Sequence, residues 1–165
     1  AEVCSSIMKA QKAIAASKIG EGLSEEEIRV LAGISEIKAL KDGEYLAVEG
    51  EEDGYLYVVI SGILVVLKNM PEGGQEVLCR LAQYEIAGIS GFADKQKRLA
   101  DMRSSGVTEV LAIPKSSFES LIKTHPTVVY HVMCALVRES LEIVKHLDDN
   151  LVELTEYFKK MNKYY

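Results

Sequence analysis

The residues best suited to chemistry in this chain are a small group of cations. Lys95, Lys97 and Arg98 lie close together in a protein of 165 residues whose formal net charge is −6. A guanidinium makes strong, charge-assisted hydrogen bonds to phosphate and carboxylate groups. Gly88 and Gly91 precede the cluster, and glycine lets a backbone approach a ligand closely. The segment is therefore the best candidate for an anion-binding site.

Other kinds of reactive site find no support in the sequence. No histidine has a cysteine, glutamate or second histidine at the spacing of a metal site. There is no phosphate-binding loop, dinucleotide fingerprint or nucleophile motif. We therefore expect neither a metal site nor enzymatic activity. The three histidines are His125, His131 and His146.

The composition of the chain indicates the class of protein and the compartment in which it works. The chain is 48% hydrophobic and 27% charged, which is typical of soluble globular proteins. Its acidic net charge argues against a nucleic-acid surface, and no apolar run is long enough for a membrane span. Cys4, Cys79 and Cys134 lack metal-type spacing and predict reduced thiols in the cytoplasm. Cys79 is expected to be buried and inert, because no charged partner lowers its pKa.

Periodicity divides the chain into three segments: N-terminal helices over 1–36, short strands over 37–125, and one helix over 126–165. Ser24 and Glu27 form a capping box at the start of a helix in the first segment. Nine of the twelve glycines divide the second segment into runs of strand length. These runs are Tyr55 to Ile60, Ile63 to Leu67, Val77 to Leu81 and Val107 to Ile113.

The third segment predicts a homodimer. Neither glycine nor proline follows Pro126, so the helix would be roughly 58 Å long. Its apolar residues recur in alternating steps of three and four, which is the pattern of a coiled coil. A single helix lying wholly on its own core is the alternative, but the apolar seam is longer than a domain of this size. The predicted contacts are Tyr130, Met133, Val137, Val144, Leu147, Leu151, Leu154, Phe158 and Met161, with Ser140 at the polar position.

Ordered motifs in the strand region resemble a known family. They are similar to the cyclic-nucleotide-binding domain from about Leu23 to Leu154, and the long helix is similar to that of its catabolite-activator branch. The resemblance implies an α+β fold: a double-stranded β-helix, or jelly-roll-like β-roll, flanked by N-terminal helices and a long C-terminal coiled-coil helix. The motifs are Gly43 to Gly50, Tyr57 to Gly62, Tyr84 to Gly88, and Leu111 to Ile113 with Phe118 and Leu121.

The resemblance also implies a phosphate-binding cassette between two strands. Backbone amides at the start of a short helix would face the phosphate, and Arg98 would pair with it. Without a ligand, Arg98 would instead be solvated or would pair with Asp94 or Asp101. The residues assigned to the site are Gly88, Ile89, Ser90, Arg98, Leu99, Val66, Leu78 and Cys79, the last three forming an apolar wall.

The chain departs from the family pattern at contact positions. Ile89 stands where the family has a glutamate that accepts the ribose 2′-hydroxyl. An unpaired hydroxyl against isoleucine would cost about 1 to 3 kcal/mol, or one to two decades of affinity. The other departures are Leu99 for a small hydroxyl residue, Tyr84 for glycine, Lys97 for proline, and Ile143 and Val144 where activator-type members present hydroxyls.

Three functions follow from this reading. The first is a homodimeric ligand-sensing module that binds an atypical anionic or nucleotide-like ligand and signals to a downstream protein. The second is a vestigial pocket with a structural, dimerising or adaptor role. The third is a haem-based sensor, as in some activator relatives, with ligands from His125, His131, Met133 or Cys79. Because the chain ends where activator-type members begin their DNA-binding domain, we expect no binding to nucleic acid.

Overall fold

The computed structural model describes residues 2–94 and 97–162, which form an α+β fold. The helices are α1 (Glu2–Ala16), a 3₁₀ helix (Lys18–Gly22), α2 (Glu25–Gly33), α3 (Ile89–Asp94), α4 (Lys115–Thr124) and α5 (Pro126–Asn162). The strands are β1 (Glu36–Leu40), β2 (Tyr45–Ala47), β3 (Tyr55–Asn69), β4 (Gln75–Leu81), β5 (Ile86–Ala87) and β6 (Asp101–Pro114). The fold class expected from the sequence is therefore confirmed.

One antiparallel sheet contains all the strands of the described residues. Its main order is β1-β6-β3-β4, with β2 paired to β6 and β5 paired to β3. The long strands β3 and β6 form its centre and pair along most of their length. The strand β4 pairs with β3 alone and lies at the edge of the sheet.

The sequence wrongly predicted two strands where β3 is one. Ser61 and Gly62 are not a turn, because β3 continues through them with shifts of its register against β6. Gly62 has a φ of 83°, and a Cβ there would lie 2.5 Å from the carbonyl oxygen of Val107. The glycine therefore bends the strand over β6 instead of ending it.

The centre of the sheet separates two hydrophobic cores. Successive side chains of a strand point to opposite faces, and β3 follows this rule. Leu56 and Val58 pack with the helices, whereas Tyr57 and Val59 pack inside the β-roll. All four are almost fully buried. The central strand thus joins the helical layer to the interior of the roll.

The predicted capping box begins α2. The Oγ of Ser24 accepts from the amide of Glu27 at 3.2 Å, and Oε1 of Glu27 accepts from the amide of Ser24 at 3.0 Å. The other carboxylate oxygen of Glu27 lies 2.7 Å from Nδ1 of His131 on α5. Burial opposes the charge of Glu27, but the hydrogen bonds from Ser24 and His131 prevail and lower its pKa. The box therefore also ties α2 to α5.

The predicted long helix is present as α5, which has 37 residues. Its first half packs on the core through Val128, Val132 and Leu136. Every residue from 141 to 161 is exposed. Of the nine predicted dimer contacts, eight are exposed by 43 to 66% and Met133 is half-buried. Within the described residues, no helix is both long and apolar enough to cross a membrane.

Candidate functional site

The predicted cassette lies between β5 and β6. The pair Ile86 and Ala87 hydrogen-bonds to β3, and the chain then turns through Gly88 into the short helix α3. Gly88 has a left-handed φ of 87°. Tyr84, just before β5, has a φ of 68° and donates its amide to the carbonyl of Val59 at 2.7 Å. Tyr84 therefore takes a left-handed conformation that glycine adopts without strain and tyrosine adopts at an energetic cost.

Gly88 is in close contact with Arg98. Nη1 of Arg98 donates to the carbonyl of Gly88 at 3.1 Å. A Cβ on Gly88 would lie 2.4 Å from that same nitrogen. Only glycine allows this approach, so the geometry places the guanidinium directly against the cassette backbone.

Arg98 is a buried cation whose partner the sequence did not predict. Its side chain is 2% exposed and forms an ion pair with Asp53 through Nη2, which also donates to the carbonyl of Tyr55 at 2.5 Å. Neither solvation nor a pair with Asp101 describes it, because the buried guanidinium reaches Asp53 in the loop before β3. The predicted pair with Asp94 involves a side chain that lies outside the described part of the structure. Its Nε has no hydrogen-bond partner among the described residues.

Asp53 is the centre of a hydrogen-bond network under the cassette. Its carboxylate accepts from the amide of Tyr55 at 3.0 Å and from the hydroxyl of Tyr57 at 2.9 Å, besides pairing with Arg98. The guanidinium lies 5.4 Å from the centre of the Tyr57 ring. Burial and the negative charge of Asp53 raise the pKa of Tyr57, so its phenol stays protonated and donates.

The backbone of Arg98 is fixed as firmly as its side chain. Its amide donates to the carbonyl of Glu51, and its carbonyl accepts from the amide of Gly50, both at 2.8 Å. Next to it, the carbonyl of Leu99 accepts from Nζ of Lys68 at 2.7 Å. Two short contacts therefore hold the far end of the cassette against the loop that follows β2, and the third joins it to the end of β3.

A second polar network supports that loop. Nζ of Lys68 donates to Glu49 at 2.5 Å, and the buried carboxylate of Asp101 accepts from the amide of Glu49 and from Gln75 at 2.7 Å each. Hydrogen bonds from Lys68 and from Asn69 lower the pKa of Glu49. These residues join the β2–β3 loop, the β3–β4 hairpin and the start of β6.

The predicted apolar wall is more open than the sequence suggested. Val66 is half-buried and lies opposite Cys79 in the sheet. Leu78 is 58% exposed and has no cross-strand partner, because the register shifts at this point. Cys79 is exposed and not buried, since β4 is an edge strand. Desolvation and the charge of Glu85 nevertheless raise the pKa of its thiol, which is consistent with an inert cysteine.

The remaining site residues lie at the two ends of the cassette. Ile89 is half-buried against the helical core and Ser90 is exposed at the start of α3. Leu99 is 65% exposed and does not fill the pocket. Lys97 is exposed, and Lys95 lies outside the described residues. The structure thus brings Gly88, Arg98 and the start of α3 together, and of the described residues of the cationic cluster Arg98 is buried whereas Lys97 is exposed.

Several cavities border this region, and two of them lie beside predicted site residues or Asp53. An apolar groove of about 210 Å³ separates α3 from α5. Its lining residues are Ile89, Ala93, Met133, Leu136, Val137, Ser140, Leu141 and Val144. A second cleft, of about 490 Å³, opens on the other side of Asp53 and includes Tyr55, Gly91 and Lys115. None of the predicted site residues lines that second cleft.

The residues proposed for haem ligation serve other contacts or lie apart. His131 is bonded to Glu27, His125 is exposed beside Thr124, and Cys79 lies on the edge strand. Among the described residues, no group of three or more His, Cys, Asp or Glu side chains could hold a metal ion.

Sequence reasoning missed Asp53, Lys68 and Glu49. Asp53 precedes Gly54, a dipeptide that is typical of turns, and no local pattern links it to Arg98. A buried arginine requires a carboxylate partner, and this requirement is the one signal that could have directed a search for Asp53.

Comparisons with known proteins identify the family and the fold. A family model described as the cyclic nucleotide-binding domain matches residues 37–125. A cyclic AMP receptor protein of Thermus thermophilus is 25% identical over 132 residues, which is 80% of this chain and 61% of that protein. A Neurospora crassa lysophospholipase, nte1, is 26% identical over 93 residues, or 56% of this chain and 6% of that enzyme.

A solved structure shares most of the fold. It is a cyclic nucleotide-binding domain from Methylobacillus flagellatus, with a TM-score of 0.77 and 20% identity. The similarity covers 88% of this chain and 82% of that one. By contrast, the chain spans less than two thirds of the length of either curated relative.

Proposed function

The chain belongs to the cyclic nucleotide-binding domain family, and on that premise we propose that it is a homodimeric regulatory module that senses a phosphate-bearing ligand. The ligand binds at the start of α3 beside Arg98. Its binding changes the position of α5, which carries the signal to a downstream protein in the cytoplasm. No chemical step is part of this function.

The environment of Arg98 carries the proposal. The guanidinium is 98% buried, yet its Nε has no partner among the described residues. A buried donor without an acceptor costs about 1 to 3 kcal/mol, and more when it is charged. A phosphate oxygen would supply that acceptor, since charge-assisted bonds to arginine are strong. Asp53 and Gly88 hold the guanidinium in place before the ligand arrives.

Ile89 determines which phosphate compounds suit the site. It lies directly after Gly88, where the family has the acceptor for a ribose 2′-hydroxyl, and it packs against the apolar core. A ligand whose sugar hydroxyl is blocked, esterified or absent avoids the resulting penalty. We therefore expect a modified or larger phosphodiester to bind more tightly than an ordinary cyclic mononucleotide.

A structural role is the second candidate, and one observation favours it. The ion pair between Asp53 and Arg98 already neutralises the cation that would bind phosphate. In that case the cassette is a fixed part of the fold, and the protein acts only as a dimerising or adaptor unit. The haem hypothesis has no comparable support among the described residues.

A thermal-shift measurement separates the two candidates. Cyclic mononucleotides, cyclic dinucleotides and pyrophosphate are added at millimolar concentration to the purified protein. Binding to the folded state alone raises stability by about 2.7 kcal/mol at a hundred times the dissociation constant. We expect a shift with at least one phosphodiester, its loss in Arg98→Gln and its retention in Arg80→Gln, which changes an exposed arginine of β4. The absence of any shift would assign the structural role.

The dimer has a separate test. Leu147 and Val152 are 56% and 62% exposed on α5, but only Leu147 lies on the predicted seam. Sedimentation of Leu147→Glu should show a monomer, because the substitution places a charge at the centre of the contact. Val152→Glu, off the seam, should sediment as the wild type does. A wild-type monomer at every concentration would contradict the homodimer.

A further inference from the structure

A row of four side chains crosses the outer face of the β-roll. Arg103 of β6 lies directly opposite both Tyr45 of β2 and Val65 of β3. Val65 in turn lies opposite Arg80 of β4. Residues that are directly opposite each other in antiparallel strands share one face of the sheet. The order of the row across the four strands is therefore Tyr45, Arg103, Val65 and Arg80.

This face of the sheet points away from the predicted ligand pocket. Successive residues of a strand point to opposite faces, and Met102, the neighbour of Arg103, packs inside the roll. Val66, the neighbour of Val65, belongs to the predicted apolar wall. The two arginines of the row therefore face outward, and a ligand that they bind is a different ligand from that of the cassette.

A cleft of about 170 Å³ is lined by both arginines of the row, and we call it the arginine cleft. Val65, which is 4% exposed, lies between them. Two strand spacings separate Arg80 from Arg103, so their Cα atoms are roughly 10 Å apart. One small group above Val65 can therefore contact both guanidinium groups. The other lining residues are Asp42, Gly43, Val77, Ser104 and Ser105.

The two arginines form no ion pair with any residue that the structure describes. Asp42 is the one acidic residue of the described lining, and its Oδ1 accepts from the amide of Gly106 at 2.7 Å. Arg103 is half-buried, and its guanidinium lies 5.8 Å from the centre of the Tyr45 ring, a cation–π contact that holds it in position. The cleft therefore presents two cations, one of which is already oriented.

We propose that the arginine cleft binds the phosphate of a phosphomonoester, whether free or carried on a side chain of another protein. Such a group has a charge of about −1.5 to −2 at pH 7, which matches two cations, whereas a carboxylate or a phosphodiester matches only one. It also has three terminal oxygens, and two guanidinium forks donate to phosphate oxygens in pairs. Charge and geometry thus select the same ligand class.

Arginine side-chain NMR signals can locate the site in the wild-type protein, which has five arginines. A short peptide that carries one phosphoserine should shift the Nε–H signals of Arg80 and Arg103. Those of Arg29 and Arg138, which are exposed on α2 and α5, should not move. Shifts confined to Arg98 would assign the phosphate to the cassette and overturn this proposal.

The charge of the phosphate gives a test by pH. The second pKa of a phosphomonoester is about 6, so the phosphate loses most of its second charge between pH 7 and pH 5. Arginine stays charged throughout this range. The affinity for the phosphoserine peptide should therefore fall as the pH is lowered. An affinity that does not change with pH would contradict recognition of the dianion.

Substitutions in the cleft measure the contribution of each charge. Arg103→Gln and Arg80→Gln should each weaken the binding of the phosphoserine peptide by about tenfold or more, because each removes a cation and its hydrogen bonds. Asp42→Asn should strengthen it, because a negative charge leaves the cleft. Arg29→Gln is the matched control on α2 and should leave the affinity within about twofold of the wild type. Fluorescence anisotropy gives the affinities, and circular dichroism shows that each variant is folded.

The probes distinguish the sources of the phosphate. Binding of the phosphoserine peptide that is at least tenfold tighter than that of inorganic phosphate supports a phosphorylated protein as the ligand, and a smaller difference supports a free phosphomonoester. A peptide with glutamate in place of phosphoserine should bind at least tenfold more weakly. Equal binding of the glutamate peptide, or no binding of any probe at millimolar concentration, would overturn the proposal.

This site and the cassette are tested independently. Arg80→Gln should lose the phosphoserine peptide and keep the ligand of the cassette, whereas Arg98→Gln should show the reverse. A protein that binds a phosphodiester but no phosphomonoester refutes the arginine cleft and leaves the proposed function standing. The opposite result refutes the cassette ligand alone.

Discussion

Asp53 and Arg98, 45 residues apart in the sequence, form an ion pair beneath the cassette. The pair joins the loop before β3 to the segment that leads into β6. Because Nη1 of the same guanidinium bonds to the carbonyl of Gly88, the pair also fixes the start of α3. The proposed anion site and the stability of the roll therefore depend on the same side chain.

Removing the carboxylate should destabilise the protein strongly. In Asp53→Ala, Arg98 stays buried without its counter-charge, and breaking a buried pair in this way costs about 3 to 5 kcal/mol. Urea denaturation should show this loss in the free energy of unfolding. The neighbouring variant Glu52→Ala changes an exposed residue, and its free energy of unfolding should stay within about 0.5 kcal/mol of the wild type, as is usual for surface substitutions. A loss below about 1 kcal/mol in Asp53→Ala would contradict a structural ion pair.

A methyl group on Gly88 should displace Arg98. Gly88 and Gly73 both have a left-handed backbone, but only at Gly88 would a Cβ meet another residue. Gly88→Ala should therefore lose about 1 to 3 kcal/mol more than Gly73→Ala, because it adds a steric clash to the shared strain. Denaturation of the two variants gives the difference, and equal losses would show that the close approach is unimportant.

The energetic cost of the left-handed backbone at Tyr84 can be measured separately from the contacts of its side chain. Tyr84→Gly and Tyr84→Ala both remove the ring, but alanine keeps the strain of a positive φ. The glycine variant should be the more stable of the two by about 1 kcal/mol. At Ala15, within α1, glycine should instead be less stable than the native alanine by a similar amount. An order in which Tyr84→Ala is the more stable would show that no strain is stored there.

Restoring the family's acidic residue should restore affinity for ordinary nucleotides. Ile89→Glu provides an acceptor for a ribose 2′-hydroxyl, and its gain should be roughly ten- to a hundred-fold in affinity for cyclic AMP. The 2′-deoxy analogue lacks the hydroxyl and should gain nothing. Titration calorimetry with both ligands makes the comparison. An unchanged affinity for cyclic AMP would mean that the backbone of the cassette no longer presents the phosphate site.

The cassette was predictable in part because its key contact is local in sequence. Gly88 and Arg98 are ten residues apart, and both belong to one recognisable motif. Asp53 was not predictable in the same way, since it reaches Arg98 only after β3 and β6 have paired. Tyr84 was recognised as a departure, but a tyrosine gives no local sign that its backbone takes a glycine-like conformation.

The long helix and the predicted apolar wall show which properties a local sequence pattern can predict and which it cannot. The length of α5 follows from the absence of helix-breaking residues after Pro126, which is a local property. The exposure of Cys79 depends on β4 lying at the edge of the sheet, and alternation within a strand does not state which neighbours it has. Local patterns therefore predicted the helices and strands well. They predicted the burial of side chains only on strands that have a neighbouring strand on both sides.

The second half of α5, residues 141–161, is exposed in the protomer. Under the proposed homodimer, the shape of the molecule therefore depends on the concentration of the protein. From residue 141 to residue 161 no face of the helix is covered by its own protomer, and most of the stability of a helix in a protein comes from tertiary packing. In the proposed homodimer, folding of this half and association of two chains are a single equilibrium. On that proposal, a cell that makes more of this protein would not only have more copies of it, but copies with more helix.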